Sequence, residues 1–404
     1  MSRLAGVELA PIFDSRGQPT VEATVILSSG ARGLAGAPSG ASTGRHEVRA
    51  FPTGGVPTAL RVFRERLRPK LLGLEADLVA VDRTLRDADG TANFEAIGGN
   101  CATALSVATA LALAEEAHRP LWRLLARPGV DGTVFPAIVG NCLNGGRHAI
   151  GGPDIQEFHA VARGPDPEAS VRAALRVHAL VGEALRAGHP GAALGRGDEG
   201  GWVAGIGNVE AFELLRAACD RARDELRVEV RPGVDFAASE FFRDGRYRYR
   251  EQTLDTEGQR RFVEELVDRF GLVYVEDPFE QESLEAFAEL TGSLGDRTTI
   301  VGDDCYVTQA SRLRDGITRR ASNAILVKVN QVGTLSATLE TVDLARAHQI
   351  RTVTSHRSGD LPEGWLAHVA VASAAWGLKC GLLGGERVAK LNELLRLGRA
   401  APLP

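Results

Sequence analysis

Six ionisable residues recur in the second half of the chain, each at the end of a short apolar run. Successive members are separated by 41, 27, 25, 28 and 23 residues, which after the first gap is close to one strand–helix unit apiece. The six residues are Asp235, Glu276, Asp303, Lys328, His356 and Lys379. In a barrel of parallel strands, the C-terminal strand ends surround the active site. The spacing therefore predicts that three carboxylates, two lysines and a histidine meet in one mouth.

Three of these residues could hold a metal ion. Asp235, Glu276 and Asp303 offer only oxygen atoms, the ligand type that a hard cation such as Mg²⁺ prefers. The sequence has no His/Cys cluster that would favour zinc. The adjacent Asp277 and Asp304 are better suited to capping a helix or pairing with a basic residue, because βα loops often end in such caps.

Two roles are open to the lysines beside such a metal. A lysine acts as a general base only if its pKa is lowered, and a neighbouring cation and partial burial would both lower it. Alternatively, Lys328 and Lys379 only neutralise the carboxylates. The residue types alone do not decide between these roles.

Two loops have the composition of anion-binding or closing segments. In SHRSGD (355–360), Arg357 can form a fork-shaped pair with phosphate or carboxylate, and Ser358 can add a hydroxyl donor. The loop GASTG (40–44) is flexible and rich in hydroxyl groups, which suits a lid, although such loops are often only linkers.

Two further motifs carry groups that could move protons. NGGRH and QEF place His148 and Glu157 nine residues apart, and GDEGG exposes Glu199 between glycines. Flanking glycines allow the backbone to approach a ligand closely, although an ordinary turn would have the same composition.

The pattern of apolar and polar residues, which predicts the strands and helices that must position these residues, changes along the chain. Up to about Leu27, alternating apolar and polar residues (VEATVIL) predict strands, and a Gly/Ser/Pro loop, GLAGAPSGASTG, follows. Helical periodicity then covers three stretches, at about 57–72, 77–88 and 98–117. Beyond the breaker segment RPGVDG (127–132), apolar runs alternate with amphipathic stretches, which indicates a parallel sheet with helices outside it. We therefore predict an N-terminal α+β domain over residues 1–131 and an α/β barrel over residues 132–404.

Composition and charge narrow the class of protein. The chain has 404 residues, 44% hydrophobic and 25% charged, as in an ordinary globular protein. The net charge of −5 lacks the excess of positive charge that is typical of a nucleic-acid-binding protein. The five cysteines are scattered and form no CxxC pair, which favours a reduced intracellular protein. No signal peptide is evident, and the most apolar stretch (101–114) is too short to span a membrane, so we expect a cytoplasmic protein without nucleic-acid or membrane partners.

The chain resembles the enolase family in eleven motifs, which occur in that family's order along nearly the whole sequence. They are DSRGQPTVEA (14–23), APSGASTGRHE (37–47), LNGGRHA (143–149), QEF (156–158), GDEGG (197–201), ASEFF (238–242), VEDPFEQ (275–281), VGDD (301–304), LVKVNQVGT (326–334), SHRSG (355–359) and ERVAKLN (386–392). One such motif is weak, whereas eleven in order are specific. The resemblance implies an enolase-type TIM-like barrel and a Mg²⁺-dependent hydro-lyase that converts 2-phosphoglycerate to phosphoenolpyruvate. It also implies a homodimer or higher homo-oligomer.

By the same resemblance, two Mg²⁺ ions take part. Asp235, Glu276 and Asp303 would hold the tighter ion, and Ser42 in the GASTG lid would ligate a second ion that arrives with the substrate.

The resemblance further assigns catalytic and binding roles. Lys328 would remove the proton from C2, and Glu199, supported by Glu157, would act as the acid that helps hydroxide leave C3. The implied catalytic set is Lys328, Glu199, Glu157, His356 and Lys379. The implied substrate-binding set, with Lys379 on the carboxylate and Arg357 and Ser358 on the phosphate, is His148, Glu157, Ser355, His356, Arg357, Ser358 and Lys379.

Several segments depart from the family pattern, although no residue with an implied chemical role is lost; two of the departures lie near the substrate pocket or lid, and Ala10 lies in a segment that the family uses for its dimer contact. The departures are VRAFPTGG (48–55), SGDLPE (358–363), KCGLLGGE (379–386) and Ala10 in place of the usual arginine. A first alternative is therefore an enolase-like dehydratase of a phosphonate or related hydroxy acid, forming for example carboxyphosphonoenolpyruvate. A second is a non-catalytic binding protein on an enolase scaffold, which the complete metal and acid/base set disfavours. A racemase-like relative is also disfavoured, because AALGRGDEGG (192–201) lacks a lysine pair.

Overall fold

The structure is a computed structural model that describes residues 2–41, 43–191 and 194–400. The chain begins with a three-stranded antiparallel sheet. Its strands are β1 (Leu4–Phe13), β2 (Pro19–Leu27) and β3 (Arg32–Gly36). The predicted strands before Leu27 are confirmed, but β3 occupies the first part of the predicted GLAGAPSGASTG loop. The reason is close packing against a helix: a Cβ on Gly33 would lie 1.8 Å from the carbonyl oxygen of Ala108. Only a glycine lets β3 lie directly on that helix.

The described N-terminal part contains five α-helices, of which the first four fall in the three predicted stretches and the last was not predicted. They are α1 (Gly55–Val62), which continues through a π-helical turn (Phe63–Leu67) into α2 (Arg68–Leu71), then α3 (Leu78–Asp89), α4 (Gly99–Glu116) and α5 (Leu121–Leu125). Helix α4 is buried over most of its length, because its Ala/Thr-rich surface packs between the sheet and the second half of the chain. Thr103 Oγ1 donates to the carbonyl of Gly333 at 3.0 Å, and the amide of Leu335 donates to Ser106 Oγ at 2.9 Å.

The second part of the chain alternates strands and helices. Its strands are β4 (Ala137–Asn144), β5 (Glu157–Arg163), β6 (Gly195–Arg196), β7 (Trp202–Val203), β8 (Glu229–Asp235), β9 (Phe242–Arg243), β10 (Arg246–Arg248), β11 (Thr253–Leu254), β12 (Tyr274–Glu276), β13 (Thr299–Gly302), β14 (Ala324–Val327), β15 (Arg351–Ser355) and β16 (Gly377–Gly381). Its helices are α6 (Pro167–Gly188), α7 (Asn208–Leu226), α8 (Thr256–Phe270), α9 (Leu284–Leu294), α10 (Ala310–Arg319), α11 (Val329–Val332), α12 (Leu335–Ala347), α13 (Trp365–Ala372) and α14 (Gly385–Ala400). Short 3₁₀ turns lie at Gly146–His148 and Ala238–Phe241. In the described part of the chain, no helix is both long and apolar enough to cross a membrane.

Eight of these strands close into a barrel, which confirms the predicted fold class. Their order is β4, β5, β8, β12, β13, β14, β15 and β16, and β16 pairs with β4 to close the ring. The strand–helix alternation predicted a wholly parallel barrel. This detail was wrong, because β5 runs antiparallel to both of its neighbours. The cause is the connection from β4 to β5, which contains only a short 3₁₀ turn. Without a crossover helix the chain reverses direction.

The predicted functional residues lie at one end of the barrel. Asp235 and Glu276 are the last residues of β8 and β12, while Asp303, Lys328 and His356 directly follow β13, β14 and β15. The prediction was wrong for Lys379, which lies in the middle of β16. This strand continues to Gly381 because its pairing with β4 extends that far. A separate apolar cluster contains side chains from the strands below these residues, namely Val139, Val161, Tyr274, Val301, Ala324, Leu326 and Val353.

Candidate active site

Strand register brings three carboxylates together. Glu157 on β5 pairs with Asp235 on β8, and Asp235 pairs in turn with Glu276 on β12. Residues in register on neighbouring strands point to the same face, so the three side chains are adjacent. The ammonium group of Lys379 lies among them, with Nζ 3.0, 2.8 and 2.7 Å from an oxygen of Glu157, Asp235 and Glu276 respectively. The result is a buried cluster of three carboxylates around one cation.

Burial and mutual charge shift the pKa values within this cluster. Burial lowers the pKa of Lys379, but the surrounding carboxylates outweigh it and hold this pKa well above its ordinary value. Burial and the neighbouring Asp235 charge raise the pKa of Glu276 well above the usual range. Burial also opposes the charge of Glu157, yet Lys379 and then His148 lower its pKa well below normal. Glu276 also accepts a hydrogen bond from the hydroxyl of Tyr274.

Asp303 and Lys328 form a second ion pair on the adjoining strands. The ammonium of Lys328 donates to Asp303 Oδ2, and Gln331 Nε2 donates to Oδ1 at 2.8 Å. Burial opposes both charges, but their attraction lowers the pKa of Asp303 and raises the pKa of Lys328. Both lysines therefore neutralise carboxylates in this structure, which is one of the two roles that the sequence left open.

Asp277 and Asp304 complete an acidic corner of the pocket. Asp277 accepts the backbone N–H groups of Asp303 and Asp304 at 2.8 and 2.9 Å, so it holds the loop after β13, consistent with the lesser role predicted for it. Burial raises the pKa of both Asp277 and Asp304 well above normal, and neighbouring carboxylates add to the effect.

The acidic groups fit a hard divalent cation. Among the described residues, two groups of side chains have ligand atoms close enough to share an ion, namely Asp277–Asp303–Asp304 and His148–Glu157–Glu199. Only Asp303 of the predicted ligand set belongs to the first group, since Asp235 and Glu276 are turned to Lys379. Burial and the neighbouring carboxylates raise the pKa of Asp277 and Asp304 in this corner, and a bound cation would relieve the repulsion between these groups. The predicted ligand Ser42 lies outside the described residues.

Glu199 lies between two histidines on the opposite side of the pocket. His356 Nε2 is 2.8 Å from Glu199 Oε2, and His148 Nδ1 is 3.9 Å from Oε1 but 2.8 Å from an oxygen of Glu157. Burial and the charge of Glu157 raise the pKa of Glu199, but the two imidazoles outweigh them and lower this pKa to about 2. The Ser358 hydroxyl donates to Glu199 Oε1 at 3.3 Å.

The residues predicted to bind an anion line the same pocket. Arg357 is buried and paired with Glu47 at 3.0 Å, and its Nη1 donates to Asn330 Oδ1 at 2.8 Å. Ser355 lines the pocket as predicted, but its hydroxyl donates to the carbonyl of His356. Burial lowers the pKa of Arg357, and the charge of Glu47 outweighs it and raises the value.

The N-terminal part holds the loops of this pocket in place. Ser39 and Gly359 exchange backbone hydrogen bonds of 2.7 and 2.8 Å, and the Ser39 hydroxyl donates to Asp14 in the DSRG turn. Arg16 in the same turn pairs with Asp198 at 3.0 Å, next to Glu199. A Cβ on Gly359 would lie 2.2 Å from Asp14 Oδ2, so glycine is required at this junction. The segment before Ser42 is therefore anchored to the barrel.

Sequence reasoning missed two residues that organise the site. Glu47, in the APSGASTGRHE motif, is the partner of Arg357. Arg387, in the ERVAKLN motif, is fully buried and donates to the carbonyls of Arg357 and Ser358 at 2.5 and 2.6 Å. Both belong to recognised motifs, but a charged residue in a sequence normally predicts a solvent-exposed side chain.

Two family models match the chain. The model described as "Enolase, N-terminal domain" matches residues 4–125, and "Enolase, C-terminal TIM barrel domain" matches residues 132–401.

Curated proteins named "Enolase" match nearly the whole chain. The enolase of Methanothermobacter thermautotrophicus is 45% identical over 99% of this chain and 97% of the relative. That of Halorubrum lacusprofundi is 45% identical over 98% of this chain and 99% of the relative. That of Thermoplasma acidophilum is 40% identical over 97% of each. Neither the phosphonate-pathway alternative nor the non-catalytic alternative finds support in these similarities.

Proposed function

This chain belongs to the enolase family, and on that premise we propose that it removes water from 2-phosphoglycerate to give phosphoenolpyruvate, as a Mg²⁺-dependent hydro-lyase. The observation that carries the proposal is the convergence of two lysines on buried carboxylates, opposite Glu199 and its two histidines. A proton beside a carboxylate is weakly acidic, because its removal adds a second negative charge. Cations focused on that charge stabilise the transition state more than the ground state.

Asp235, Glu276 and Asp303 would hold the tighter Mg²⁺ through their carboxylate oxygens. When bound, Mg²⁺ would supply positive charge next to the substrate carboxylate. We further propose a second Mg²⁺ site that includes Ser42. The position of Gly44 supports it, because a Cβ there would lie 3.1 Å from Asp304 Oδ1, so the loop reaches the acidic corner.

Lys328 would take the proton from C2 of the substrate. Its Nζ lies in the pocket and donates to Asp303. The base role requires Lys328 to give up the proton that now faces Asp303, since only a neutral amine accepts a proton.

Glu199 would supply a proton to the hydroxide that leaves C3, with Glu157 supporting it through His148. Hydroxide is a poor leaving group, so an acid is needed on that side. The low pKa of Glu199 means that it is charged at neutral pH in the described structure. The acid role therefore requires the substrate to raise this pKa, and the negative charges of phosphate and carboxylate act in that direction.

The remaining polar residues would hold the substrate. Lys379 would pair with its carboxylate, and Arg357 with Ser358 would hold its phosphate. Arginine suits this role because its fork of donors matches phosphate oxygens. His148, Glu157, Ser355 and His356 would line the rest of the pocket.

We also propose the division at residue 131 and a homo-oligomeric assembly. An N-terminal part over 1–131 would supply the lid, and a barrel over 132–404 would supply the remaining groups. Phe13 at the end of β1 is 72% exposed and is an apolar side chain that a second copy would cover. Sedimentation of wild type and Phe13→Ser measures the oligomeric state and shows whether Phe13 contributes to the contact between copies.

Turnover of 2-phosphoglycerate tests the proposed function. The purified chain with Mg²⁺ should produce an enol absorbance that chelation abolishes and fresh Mg²⁺ restores. Lys328→Ala should abolish it, whereas the same change at the exposed Lys70 should leave it unchanged. A folded wild-type protein that binds Mg²⁺ but gives no product would overturn the proposal.

A further inference from the structure

Arg387 is a buried cation without a role in the steps above. It lies near the start of α14, and its side chain is inaccessible to solvent. Its guanidinium donates to the backbone carbonyls of Asp198, Arg357 and Ser358. It therefore connects the loop that carries Glu199 with the loop that carries His356.

The same guanidinium also touches the ring of His356. Arg387 Nη1 lies 2.9 Å from His356 Nδ1, and the backbone N–H of Gly381 points to the same nitrogen at 3.3 Å. An arginine has only donors and stays protonated in proteins, and a backbone amide is likewise only a donor. Nδ1 must therefore accept, so it carries no hydrogen.

The other nitrogen then has to carry the ring proton. Nε2 lies 2.8 Å from Glu199 Oε2, and a carboxylate accepts an N–H at this distance. We propose that Arg387 is a positioning residue that holds His356 as the neutral Nε2–H tautomer, so that His356 donates to Glu199 and supplies no proton to the reaction. The catalytic meaning of this arrangement rests on the proposed function, but the tautomer itself does not.

The charged groups around His356 agree with this arrangement. Glu199, Arg387 and Asp360 face the ring. Burial lowers the pKa of His356, and Arg387 adds to this fall against the opposing carboxylates. A second protonation, at Nδ1, would place an N–H against two donors.

His148, the second histidine beside Glu199, lacks this restriction. Its Nδ1 lies 2.8 Å from Glu157 Oε1, and its Nε2 lies 3.2 Å from the Ser358 hydroxyl, which can accept. Burial lowers the pKa of His148, but the charges of Glu199 and Glu157 outweigh it and raise the value. The pKa values of the two histidines therefore shift in opposite directions, and the ring that Arg387 faces is the one whose pKa is lowered.

Nitrogen-15 NMR of the histidine rings tests the tautomer without any need for turnover. The protein is labelled at histidine, and the His356 signals are assigned from a His356→Asn spectrum. In wild type, Nδ1 should resonate as an unprotonated nitrogen and Nε2 as a protonated one, with no change from about pH 5 to about pH 9. A wild-type His356 with a proton on Nδ1 overturns the proposal, whether or not the protein turns over 2-phosphoglycerate.

Two substitutions at Arg387 separate its effect on the ring from its hold on the loops. In Arg387→Met, His356 should titrate within that pH range, and kcat should fall about tenfold for each pH unit below the new pKa. Arg387→Lys keeps a cationic donor and should restore the wild-type ring signals. Loss of kcat by one factor at every pH, with ring signals unchanged, would mean a merely structural role and would overturn the proposal. If Arg387→Met does not fold, the spectra of wild type and Arg387→Lys still decide the tautomer.

Discussion

Replacing Lys379 with methionine removes the cation that three buried carboxylates share. The ammonium lies 2.7–3.0 Å from oxygens of Glu157, Asp235 and Glu276, and all four side chains are at most 5% exposed. Breaking a buried ion pair by removing one partner costs about 3–5 kcal/mol, because the other charge stays buried and unpaired. We expect the free energy of unfolding of Lys379→Met to fall by about this amount at neutral pH. Three contacts do not triple the loss, since a crowded carboxyl such as Glu276 takes up a proton instead.

The pH dependence follows from the raised pKa of Lys379. A lysine with a raised folded-state pKa contributes stability that is present below its unfolded pKa and is lost as the pH rises through the folded value. At neutral pH, the whole contribution of the Lys379 ammonium to stability is therefore present in wild type and lost in Lys379→Met. Below about pH 5 the difference between variant and wild type should shrink, because protonated carboxyls no longer need the cation.

Urea unfolding monitored by fluorescence and circular dichroism measures the loss, with Lys70→Met as the exposed control. Coincident transitions are needed for a single free energy. Mg²⁺ at 100 times its dissociation constant should stabilise Lys379→Met by about 2.7 kcal/mol, if it binds only the folded state. A loss no greater than that of Lys70→Met would refute the reasoning, because it would mean that the three carboxylates do not depend on this ammonium.

The other predictions concern separate groups. Lys328→Ala should stop exchange of the C2 proton with solvent, whereas Glu199→Gln should slow dehydration by about 10²–10⁴-fold and leave some exchange; equal loss of exchange in both would contradict the assigned roles. Ser42→Ala should shift the activating Mg²⁺ concentration upward while Mg²⁺ binding without substrate is unchanged, and superimposable activity curves would exclude a lid ligand. Burial raises the pKa of Asp82 to about 6, so its folded state binds a proton more tightly than the unfolded chain and stability falls as the pH rises from about 4 to about 6. The loss is about 3 kcal/mol, from the difference between 3.8 and about 6, and Asp82→Asn should flatten that part of the unfolding curve measured against pH. An unchanged pH profile in Asp82→Asn would show that other groups cause the fall.

The family, the fold class and most of the polar residues of the pocket followed from the sequence. The family followed from the resemblance of eleven motifs. Local spacing was enough for the fold class and for most of the strand-end residues, because each strand–helix unit repeats at a regular interval and the functional residue ends or follows the strand. Parallel closure then places those positions at one end of the barrel. The helix predictions were also good for a local reason, since Asp77 caps α3 and apolar periodicity defines its buried face.

Only the tertiary structure decided the features that depend on contacts between distant segments. The direction of β5 comes from pairing with β4 and β8, and the strand character of Arg32–Gly36 comes from pairing with β2 and close packing on α4. The pairing of Lys379 with three carboxylates comes from register around the closed barrel.

The protonation states of the pocket residues likewise could not be predicted from the sequence. A motif names a histidine or an arginine, but the donors that face it decide which nitrogen holds a proton. His356 and His148 have the same side chain and both lie beside Glu199, yet Arg387 faces only the first. The sequence by itself therefore determined which groups are present, whereas the folded chain determined which of them are buried against one another and so which charges they carry.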